Sequence, residues 1–315
     1  MHAAVVHAFD TPPRYDAIDT PRPRGDHEIL VDVLAAGLHP RVRSAADGSH
    51  YTSDGVLPLI PGIDAVGRTE EGELLYFVAS DDAPGTMAEQ AVVDRRRAVA
   101  LPPGTDPVAV AAAMNPGMSS WIALRRRAAL APGAHVLVLG ATGNAGMLAV
   151  QIARHLGAAR VVAAGRDPER LALLPGLGAD AAVSLTDGEE ALAREAADAD
   201  VVLDYVWGPP TEAALRTVLT ARRDRAKPLA WVQIGSVAGP DITLPSAYLR
   251  AANVSLLGSG QGSVSTAGIV AELPALAAHI TSGALAITPV AVPLADVEAA
   301  WTTPVPPGHR VVLTP

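Results

Sequence analysis

The spacing of hydrophobic residues divides the chain into three stretches. In roughly the first hundred residues, short apolar runs are separated by turns rich in proline and glycine, and Ile29, Val31 and Val33 recur at every second position. From Asp106 onward, continuous apolar runs alternate with segments of helical spacing, and the C-terminal part mixes both patterns. Period-two spacing predicts half-buried strands, whereas buried runs separated by helices predict a parallel sheet.

The alternating stretch predicts a doubly wound parallel sheet, the Rossmann arrangement. Its strands are predicted at residues 136–139, 160–164, 182–185, 201–205, 229–234 and 254–257. Helices are predicted, among others, at residues 106–114, 117–129 and 266–282. The fold class is therefore predicted to be α/β. This α/β domain is predicted to span residues 117–249 and to be inserted in a β-rich domain made of residues 1–116 and 250–315.

The stretch VLVLGATGNAGMLAVQIARHL combines a buried strand, a glycine turn and a helix. Gly140 lets the strand turn sharply, Gly143 lets backbone approach a pyrophosphate, and Gly146 lets the helix pack on the sheet. A strand-to-helix turn also uses glycine when no ligand binds. The strand before the turn, the helix after it and a second strand at residues 160–164 favour a dinucleotide site.

The residues after the second strand indicate which dinucleotide is bound. An NAD-specific protein places Asp or Glu there to accept hydrogen bonds from the ribose. This chain has AAGRDPER, in which Gly165 leaves room and Arg166 and Arg170 offer guanidinium donors for a phosphate. The sequence therefore predicts NADPH. Two alternatives stay open: both arginines are solvated residues at a helix start, or Asp167 turns toward the ribose or neutralises Arg166.

Composition narrows the function classes. The 315 residues suit two domains, and a formal net charge of −9 argues against nucleic acid as a partner. The absence of cysteine excludes disulfides, thiolate catalysis and cysteine-ligated metals, and the nine histidines form no close pairs. No apolar run reaches membrane-spanning length, and the N-terminus is unlike a signal peptide. We expect a cytoplasmic protein that acts on a small-molecule substrate and binds neither nucleic acid nor membrane.

Short segments distributed over the chain follow a recognisable order. They are AAGLHP, LPLIPGIDAVG, GTMAEQAVV, APGAHVLVLGATGNAGMLAVQIARHLGA, IGSVAG, LLGSG, VPLADVEAAW and GHRVVLTP. Their order resembles the medium-chain dehydrogenase/reductase superfamily, in its zinc-free quinone oxidoreductase branch. The resemblance implies a Rossmann domain inserted in a GroES-like catalytic domain, and a homodimer joined along sheet edges. Zinc-dependent members carry Cys and then His-Glu. Here His39 stands near the Cys position and Ile63 and Asp64 replace His-Glu, which implies no catalytic metal.

The resemblance also implies residues that act on the substrate and the cofactor. His39 and Tyr51 are the catalytic candidates, as donors to the charge that develops on a reduced quinone or enone. Both also have structural interpretations, His39 as a hydrogen-bonded loop residue and Tyr51 as a surface anchor. The glycine turn, the arginine pair and two later loops together supply the predicted cofactor contacts. They are Gly140, Thr142, Gly143, Asn144, Ala145, Gly146, Gly165, Arg166, Arg170, Gly235, Ser236, Ser259 and Gly260.

Three functions are compatible with these features. With no metal and no nucleophile, the first is hydride delivery by NADPH to a quinone or an α,β-unsaturated carbonyl, enoyl thioesters included. The second is a non-catalytic NADPH-binding protein, sensor-like or crystallin-like, and the third, a zinc alcohol dehydrogenase, requires a metal. The segment GATGNAG also resembles short-chain redox sensors. The Tyr-xxx-Lys pair of short-chain enzymes is absent, however, because Lys227 is the only lysine.

Overall fold

The computed structural model describes residues 1–50, 52–80, 83–306 and 308–315. Its contacts divide the chain into two compact units. The outer unit consists of Met1–Asn115 and Leu273–Pro315, and the inserted unit is Pro116–Glu272. Among the described residues, no helix is both long enough and apolar enough to cross a membrane.

Strands dominate the outer unit, and strands and helices alternate in the inserted unit. The described strands are β1 (His2–Val5), β2 (Arg14–Ala17), β3 (Glu28–Gly37), β4 (Asp64–Arg68), β5 (Leu74–Val78), β6 (Gln90–Asp94), β7 (Ala98–Ala100), β8 (His135–Leu139), β9 (Arg160–Gly165), β10 (Ala181–Ser184), β11 (Val201–Asp204), β12 (Leu229–Gln233), β13 (Val254–Gly258), β14 (Thr288–Pro293) and β15 (His309–Thr314). The described α-helices are α1 (Pro40–Ala46), α2 (Pro107–Ile122), α3 (Asn144–His155), α4 (Pro168–Leu171), α5 (Glu190–Ala196), α6 (Gly208–Ala221), α7 (Ser246–Ala251), α8 (Thr266–Val270), α9 (Leu273–Thr281) and α10 (Val297–Thr302).

The outer unit is built on a seven-stranded sheet. Its order is β14-β15-β3-β4-β5-β7, with β6 also paired to β3, and β1 and β2 form a separate two-stranded sheet. Val31 and Val33 of β3 are buried, whereas Asp32 between them is exposed. This is the alternation that the sequence predicts, and it aims the apolar face of β3 into the core of the unit.

The inserted unit contains a six-stranded sheet in which every neighbouring pair is parallel. Its order is β10-β9-β8-β11-β12-β13. The first strand in sequence, β8, is central, and residues 136–139 are buried. Because β9 and β10 lie on one side of β8 and the later strands on the other, the sheet is doubly wound. The predicted α/β fold class is therefore confirmed.

Helix α2 differs from its prediction. The sequence predicts two helices that meet near Pro116, but α2 continues through this proline and ends in a π-helical turn at Ala123–Arg127. Proline inside a helix costs about 3 kcal/mol because it removes a hydrogen bond and crowds the preceding turn. Buried side chains on both sides, Met114 and Trp121 among them, offset this cost, since each contributes about 1.5–3 kcal/mol.

The predicted helix at residues 266–282 is likewise wrong, because it is divided into α8 and α9. In a continuous helix, the ring of Pro274 would clash with the carbonyl group of Val270. Pro274 instead lies in the first turn of α9, where its missing N–H costs little. Glu272, at the break, accepts a hydrogen bond of 3.0 Å from the indole of Trp121.

The second boundary between the units lies after Glu272, whereas the sequence places it between residues 249 and 250. Residues 250–272 contact the inserted unit because β13 pairs with β12 along its whole length. The assignment of the two units to substrate and cofactor roles stays a prediction.

Candidate functional site

The strand order of the inserted unit indicates where along its sheet a ligand is expected to bind. Ligands of open parallel sheets bind outside the carboxyl ends of the strands where the order reverses, and here it reverses between β8 and β11. These strands end at Leu139 and Asp204, so the segments that begin at Gly140 and Tyr205 border this place. We call it the switch-point crevice.

The glycine turn at the crevice has the geometry of a phosphate-binding turn. Gly140 has a φ of +84°, which favours glycine. A Cβ atom at Gly146 would lie 2.2 Å from the carbonyl oxygen of Gly140, so only glycine lets α3 pack this closely. Gly143 is the exposed N-cap and supplies no side chain to cover the first-turn amides of Asn144 and Ala145. An anion can therefore approach the start of α3.

Thr142 and Gly165 are in direct contact. A Cβ atom at Gly165 would lie 2.5 Å from Cγ2 and 2.7 Å from Oγ1 of Thr142. The side chain of Thr142 therefore takes the room beside Gly165 that the sequence suggests for a phosphate. Gly165 is glycine for a packing reason, and its contact with a cofactor stays a prediction.

Asp167 is engaged in local structure. Its Oδ1 atom accepts a hydrogen bond of 3.2 Å from the backbone amide of Arg170 and caps α4. A carboxylate held as a helix cap weighs against the alternative in which Asp167 turns toward a ribose. Arg166, which precedes it, is exposed directly after β9.

The guanidinium of Arg170 lies beside the first turns of α3. Its Nη2 atom donates to the sulfur of Met147 at 3.7 Å. Its Nε atom is buried and has no hydrogen-bond partner among the residues that the structure describes. Burial also lowers the pKa of Arg170. A buried guanidinium N–H without an acceptor, close to a helix start, fits a site for a phosphate group.

Asp204, which the sequence patterns do not single out, shapes the segment after β11. The residue is fully buried, and its Oδ1 atom accepts hydrogen bonds from the amides of Val206 at 2.8 Å and Trp207 at 3.0 Å. Its Oδ2 atom accepts from the hydroxyl of Thr211 at 2.8 Å and the indole of Trp231 at 2.9 Å. Four neutral donors thus satisfy the buried carboxylate, and they fix the turn that follows it.

The backbone of Trp207 is strained. Its φ of +55° and ψ of −166° lie in a region that is essentially restricted to glycine and costs about 1–3 kcal/mol. Two hydrogen bonds hold this conformation. The backbone amide of Trp207 donates to Asp204, and its indole donates to the carbonyl oxygen of Pro240 at 3.1 Å. The strain therefore lies at the edge of the switch-point crevice.

Tyr205 lies between two of the glycines predicted to contact the cofactor. A Cβ atom at Gly140 would lie 3.2 Å from Cβ of Tyr205, and one at Gly235 would lie 2.8 Å from its carbonyl oxygen. The Tyr205 hydroxyl is 2.9 Å from Oγ of Ser119. Burial raises the pKa of Tyr205 to about 12, against the opposite effect of hydrogen bonds with Ser119 and Ser120. The phenol is therefore protonated at neutral pH.

The two later loops lie at the same end of the sheet. Ser236 is exposed next to Gly235, after β12. The amide of Ser259 donates to the carbonyl oxygen of Gln233 at 2.8 Å, and the amide of Gly260 donates to Oγ of Ser263 at 2.8 Å. Since β13 is three strands from β8, Ser259 and Gly260 follow a strand farther from the glycine turn than Gly235 does. Their contact with a cofactor stays a prediction.

In the outer unit, His39 belongs to a buried polar group that we call the Asp64 cluster. His39 is 3% exposed, and its Nε2 atom lies 3.2 Å from Oδ1 of Asp64. The hydroxyl of Tyr76 donates to Oδ2 of Asp64 at 3.0 Å, and the hydroxyl of Thr86 donates to its carbonyl oxygen at 2.9 Å. Tyr51, the other predicted catalytic residue, lies outside the described residues.

Burial controls protonation in the Asp64 cluster. It lowers the pKa of His39, and this effect outweighs the opposite influence of Asp64. It also raises the pKa of Tyr76 well above its ordinary value, reinforced by the nearby carboxylate. Burial lowers the pKa of the adjacent Arg310 to about 10. At neutral pH the cluster thus contains a neutral imidazole and a protonated phenol.

The residues at the expected metal position do not fit a catalytic zinc. Such a site needs three protein ligands with nitrogen, sulfur or oxygen donors. Ile63 offers none, and both carboxylate oxygens of Asp64 already interact within the cluster, one of them with His39. In the part of the chain that the structure describes, no three His, Asp or Glu side chains are grouped to hold a metal ion.

Comparisons with known proteins identify the family. The family model described as zinc-binding dehydrogenase matches residues 145–280. The probable NADPH-dependent quinone reductase tdiC of Emericella nidulans is 32% identical, with 100% of both chains covered. The chain belongs to the medium-chain dehydrogenase/reductase superfamily, in its quinone oxidoreductase branch.

Other members of the superfamily extend the comparison. The quinone oxidoreductase of Thermus thermophilus, solved alone and in complex with NADPH, has a TM-score of 0.83 and 28% identity, with 100% of both chains covered. The chloroplastic NADPH-dependent alkenal/one oxidoreductase of Arabidopsis thaliana is 29% identical over 51% of this chain and 46% of its own length. The two-unit medium-chain architecture thus extends over the whole chain.

Sequence reasoning about this medium-chain protein missed the group formed by Asp204, Tyr205, Trp207 and Ser119. One signal was available, because Asp204 ends a buried apolar strand, where a charge needs several donors. Ser119 gave no signal, since it lies 86 positions from Tyr205 and only the fold brings the two hydroxyls together.

Proposed function

We propose that this protein is an oxidoreductase that transfers hydride from NADPH to a quinone or an α,β-unsaturated carbonyl compound, such as an enone or enoyl thioester. The observation that carries the proposal is the buried Nε atom of Arg170, which lacks an acceptor among the described residues and lies beside Met147 of α3. A guanidinium and a helix start together attract the phosphates that distinguish NADPH. The names of the quinone reductase and alkenal/one oxidoreductase relatives support this cofactor and this class of acceptor.

The residues of the switch-point crevice divide the binding of NADPH between them. We assign the pyrophosphate to the glycine turn and the amides at the start of α3. We assign the 2′-phosphate to Arg166 and Arg170, because Asp167 is engaged as a helix cap. Bound NADPH supplies the hydride, and the residues of the chain bind the cofactor, orient it and shield it from water.

We further propose that the reaction is independent of zinc, because the donor set around His39 and Asp64 does not fit that metal. Reduction places negative charge on the acceptor oxygen, which an N–H or O–H donor stabilises. His39 and Tyr51 are our candidates for this role. If His39→Asn and Tyr51→Phe both keep full turnover, the donor is another residue.

The test is oxidation of NADPH with a panel of quinones and enones, followed by the absorbance of the reduced nicotinamide. We expect turnover with at least one acceptor, and the same rate after treatment with a metal chelator. Binding of NADPH without turnover on any acceptor would instead support the non-catalytic alternative. Loss of activity on chelation that added zinc restores would contradict zinc independence.

We also propose a homodimer joined along β13. This strand is the last of the parallel sheet, and its Leu256 side chain is 36% exposed. An unpaired strand edge with apolar side chains is commonly covered by a symmetric copy. Light scattering should give twice the mass of one chain, and Leu256→Lys should reduce it to that of a monomer.

A further inference from the structure

The hydroxyl groups of Ser119 and Tyr205 form a pair with a defined direction of donation. Oγ of Ser119 lies 2.6 Å from the carbonyl oxygen of Pro116, which can only accept a hydrogen bond. Ser119 therefore donates its single hydrogen to Pro116 and accepts from Tyr205 at 2.9 Å. Ser120, which also interacts with this hydroxyl, donates its own hydrogen to the carbonyl oxygen of Gly117 at 3.1 Å. Neither serine therefore donates to Tyr205, whose phenolic hydrogen is directed at Ser119 and whose oxygen retains a lone pair for another donor.

The backbone holds Tyr205 at the reversal of strand order. The residue follows Asp204, whose carboxylate accepts hydrogen bonds from the amides of Val206 and Trp207. Gly140 and Gly235 pack against its main chain and Cβ atom, one from the turn after β8 and one from the turn after β12. A dinucleotide that rests its pyrophosphate on α3 crosses the sheet at this reversal, with its two nucleosides on opposite sides.

We propose that the phenolic oxygen of Tyr205 accepts a hydrogen bond from the carboxamide N–H of the nicotinamide ring. The inference rests on the proposed function, since it requires NADPH in the switch-point crevice. The carboxamide has two N–H donors, and a donor that loses water without gaining an acceptor weakens binding. Tyr205 supplies that acceptor and fixes the rotation of the ring, whereas Ser119 acts as a positioning residue that holds the phenolic hydrogen away.

The direction of donation separates this role from general acid catalysis. A proton donor needs its hydrogen aimed at the substrate and a pKa near the working pH. The hydrogen of Tyr205 is aimed at Ser119, and burial raises the pKa of the phenol to about 12. Tyr205 is thus an acceptor in the binding of the cofactor.

The test compares three probes in equilibrium titrations of the full chain. They are NADPH, reduced 3-acetylpyridine adenine dinucleotide phosphate, in which a methyl group replaces the amide NH2, and adenosine 2′,5′-bisphosphate, which lacks the nicotinamide. We expect wild type to bind NADPH about three- to ten-fold more tightly than the acetylpyridine analogue, the effect of one hydrogen bond. Tyr205→Phe should abolish this preference and leave the affinity for the bisphosphate unchanged.

Three further variants serve as controls for the titrations of Tyr205→Phe. Tyr15→Phe removes a phenolic hydroxyl from an exposed bond with Glu89 in the outer unit and should keep the preference. Ser119→Ala should reduce the preference for NADPH over the acetylpyridine analogue, and Ser119→Thr should keep it. If Tyr205→Phe does not fold, these two variants test the role of Tyr205 in its place.

An unchanged preference in Tyr205→Phe and Ser119→Ala would overturn the role of Tyr205 and leave the proposed function intact. If wild type binds neither NADPH nor the bisphosphate, both the role of Tyr205 and the proposed function are wrong.

Discussion

The two units each bury an aspartate, and the partners of the two carboxylates differ. Asp204 in the inserted unit is held by two amides, a hydroxyl and an indole, and none of these groups titrates near neutral pH. Asp64 in the outer unit is held by His39 and Tyr76, so one of its partners is an imidazole, whose pKa burial lowers from its ordinary value. We infer that the switch-point crevice keeps its shape over a wide pH range, whereas the Asp64 cluster responds to acid.

The largest expected effect is on stability. Asp204→Ala leaves four donors without an acceptor, three of them in buried hydrogen bonds. Each buried donor costs about 1–3 kcal/mol, so we expect the free energy of unfolding to fall by at least about 3 kcal/mol. Asp64→Ala leaves fewer donors and should cost less. Denaturant unfolding followed by tryptophan fluorescence reports on both variants, because Trp121, Trp207 and Trp231 lie in the inserted unit and Trp301 lies in the outer unit. A larger loss for Asp64→Ala would contradict the comparison.

The next largest effect is on the affinity for NADPH, which substitutions in the inserted unit should lower and a substitution in the outer unit should not. Arg166→Ala and Arg170→Ala each remove a donor that we propose binds the 2′-phosphate through a charge-assisted hydrogen bond. Each should weaken the binding of NADPH by about 10- to 100-fold, with little effect on NADH. His39→Asn, in the Asp64 cluster, is the matched control and should leave both affinities unchanged. Fluorescence titration of the reduced nicotinamide measures the affinities of each variant for both cofactors. Equal losses of affinity for NADPH and NADH would show that the arginines do not recognise the 2′-phosphate.

A smaller effect is expected on the pH dependence of the free energy of unfolding. Burial lowers the pKa of His39 in the folded protein, so the unfolded chain binds a proton at higher pH than the folded chain does. The stability from His39 is complete above its ordinary pKa of about 6.5 and is lost as pH falls toward and through the lowered value. The slope is at most about 1.4 kcal/mol per pH unit.

His39→Asn keeps a donor for Asp64 but does not titrate, so the free energy of unfolding should fall less below pH of about 6.5. Unfolding midpoints measured across this range test the difference. An identical pH slope in both proteins would show that the Asp64 cluster does not respond to acid as inferred.

The smallest effect tests the strain beside the crevice. Trp207→Gly and Trp207→Ala both remove the ring, and only glycine adopts the φ of +55° without cost. The glycine variant should be more stable by about 1 kcal/mol, the reverse of the order at an ordinary position. Thermal unfolding of the two variants gives this difference, and greater stability of the alanine variant would exclude the strain.

The sequence predicted those structural features that depend on the spacing of residues close together along the chain. The alternation in β3, the buried run of β8 and the turn from Gly140 to Gly146 each depend on neighbours within a few residues. The continuation of α2 through Pro116 was not predictable, because the burial that offsets its cost exists only in the folded protein. The pairing of Tyr205 with Ser119 was hidden for the same reason. The role of Asp167 as a helix cap was one of several that its sequence position allowed.

The central claim is that the switch-point crevice of the inserted unit is built for NADPH. The most direct test is the ratio of the dissociation constants of NADH and NADPH, measured by titration of the wild-type chain. A phosphate held by one or two guanidinium groups predicts that NADPH binds at least about 10-fold more tightly. Equal affinities, or tighter binding of NADH, would contradict the claim.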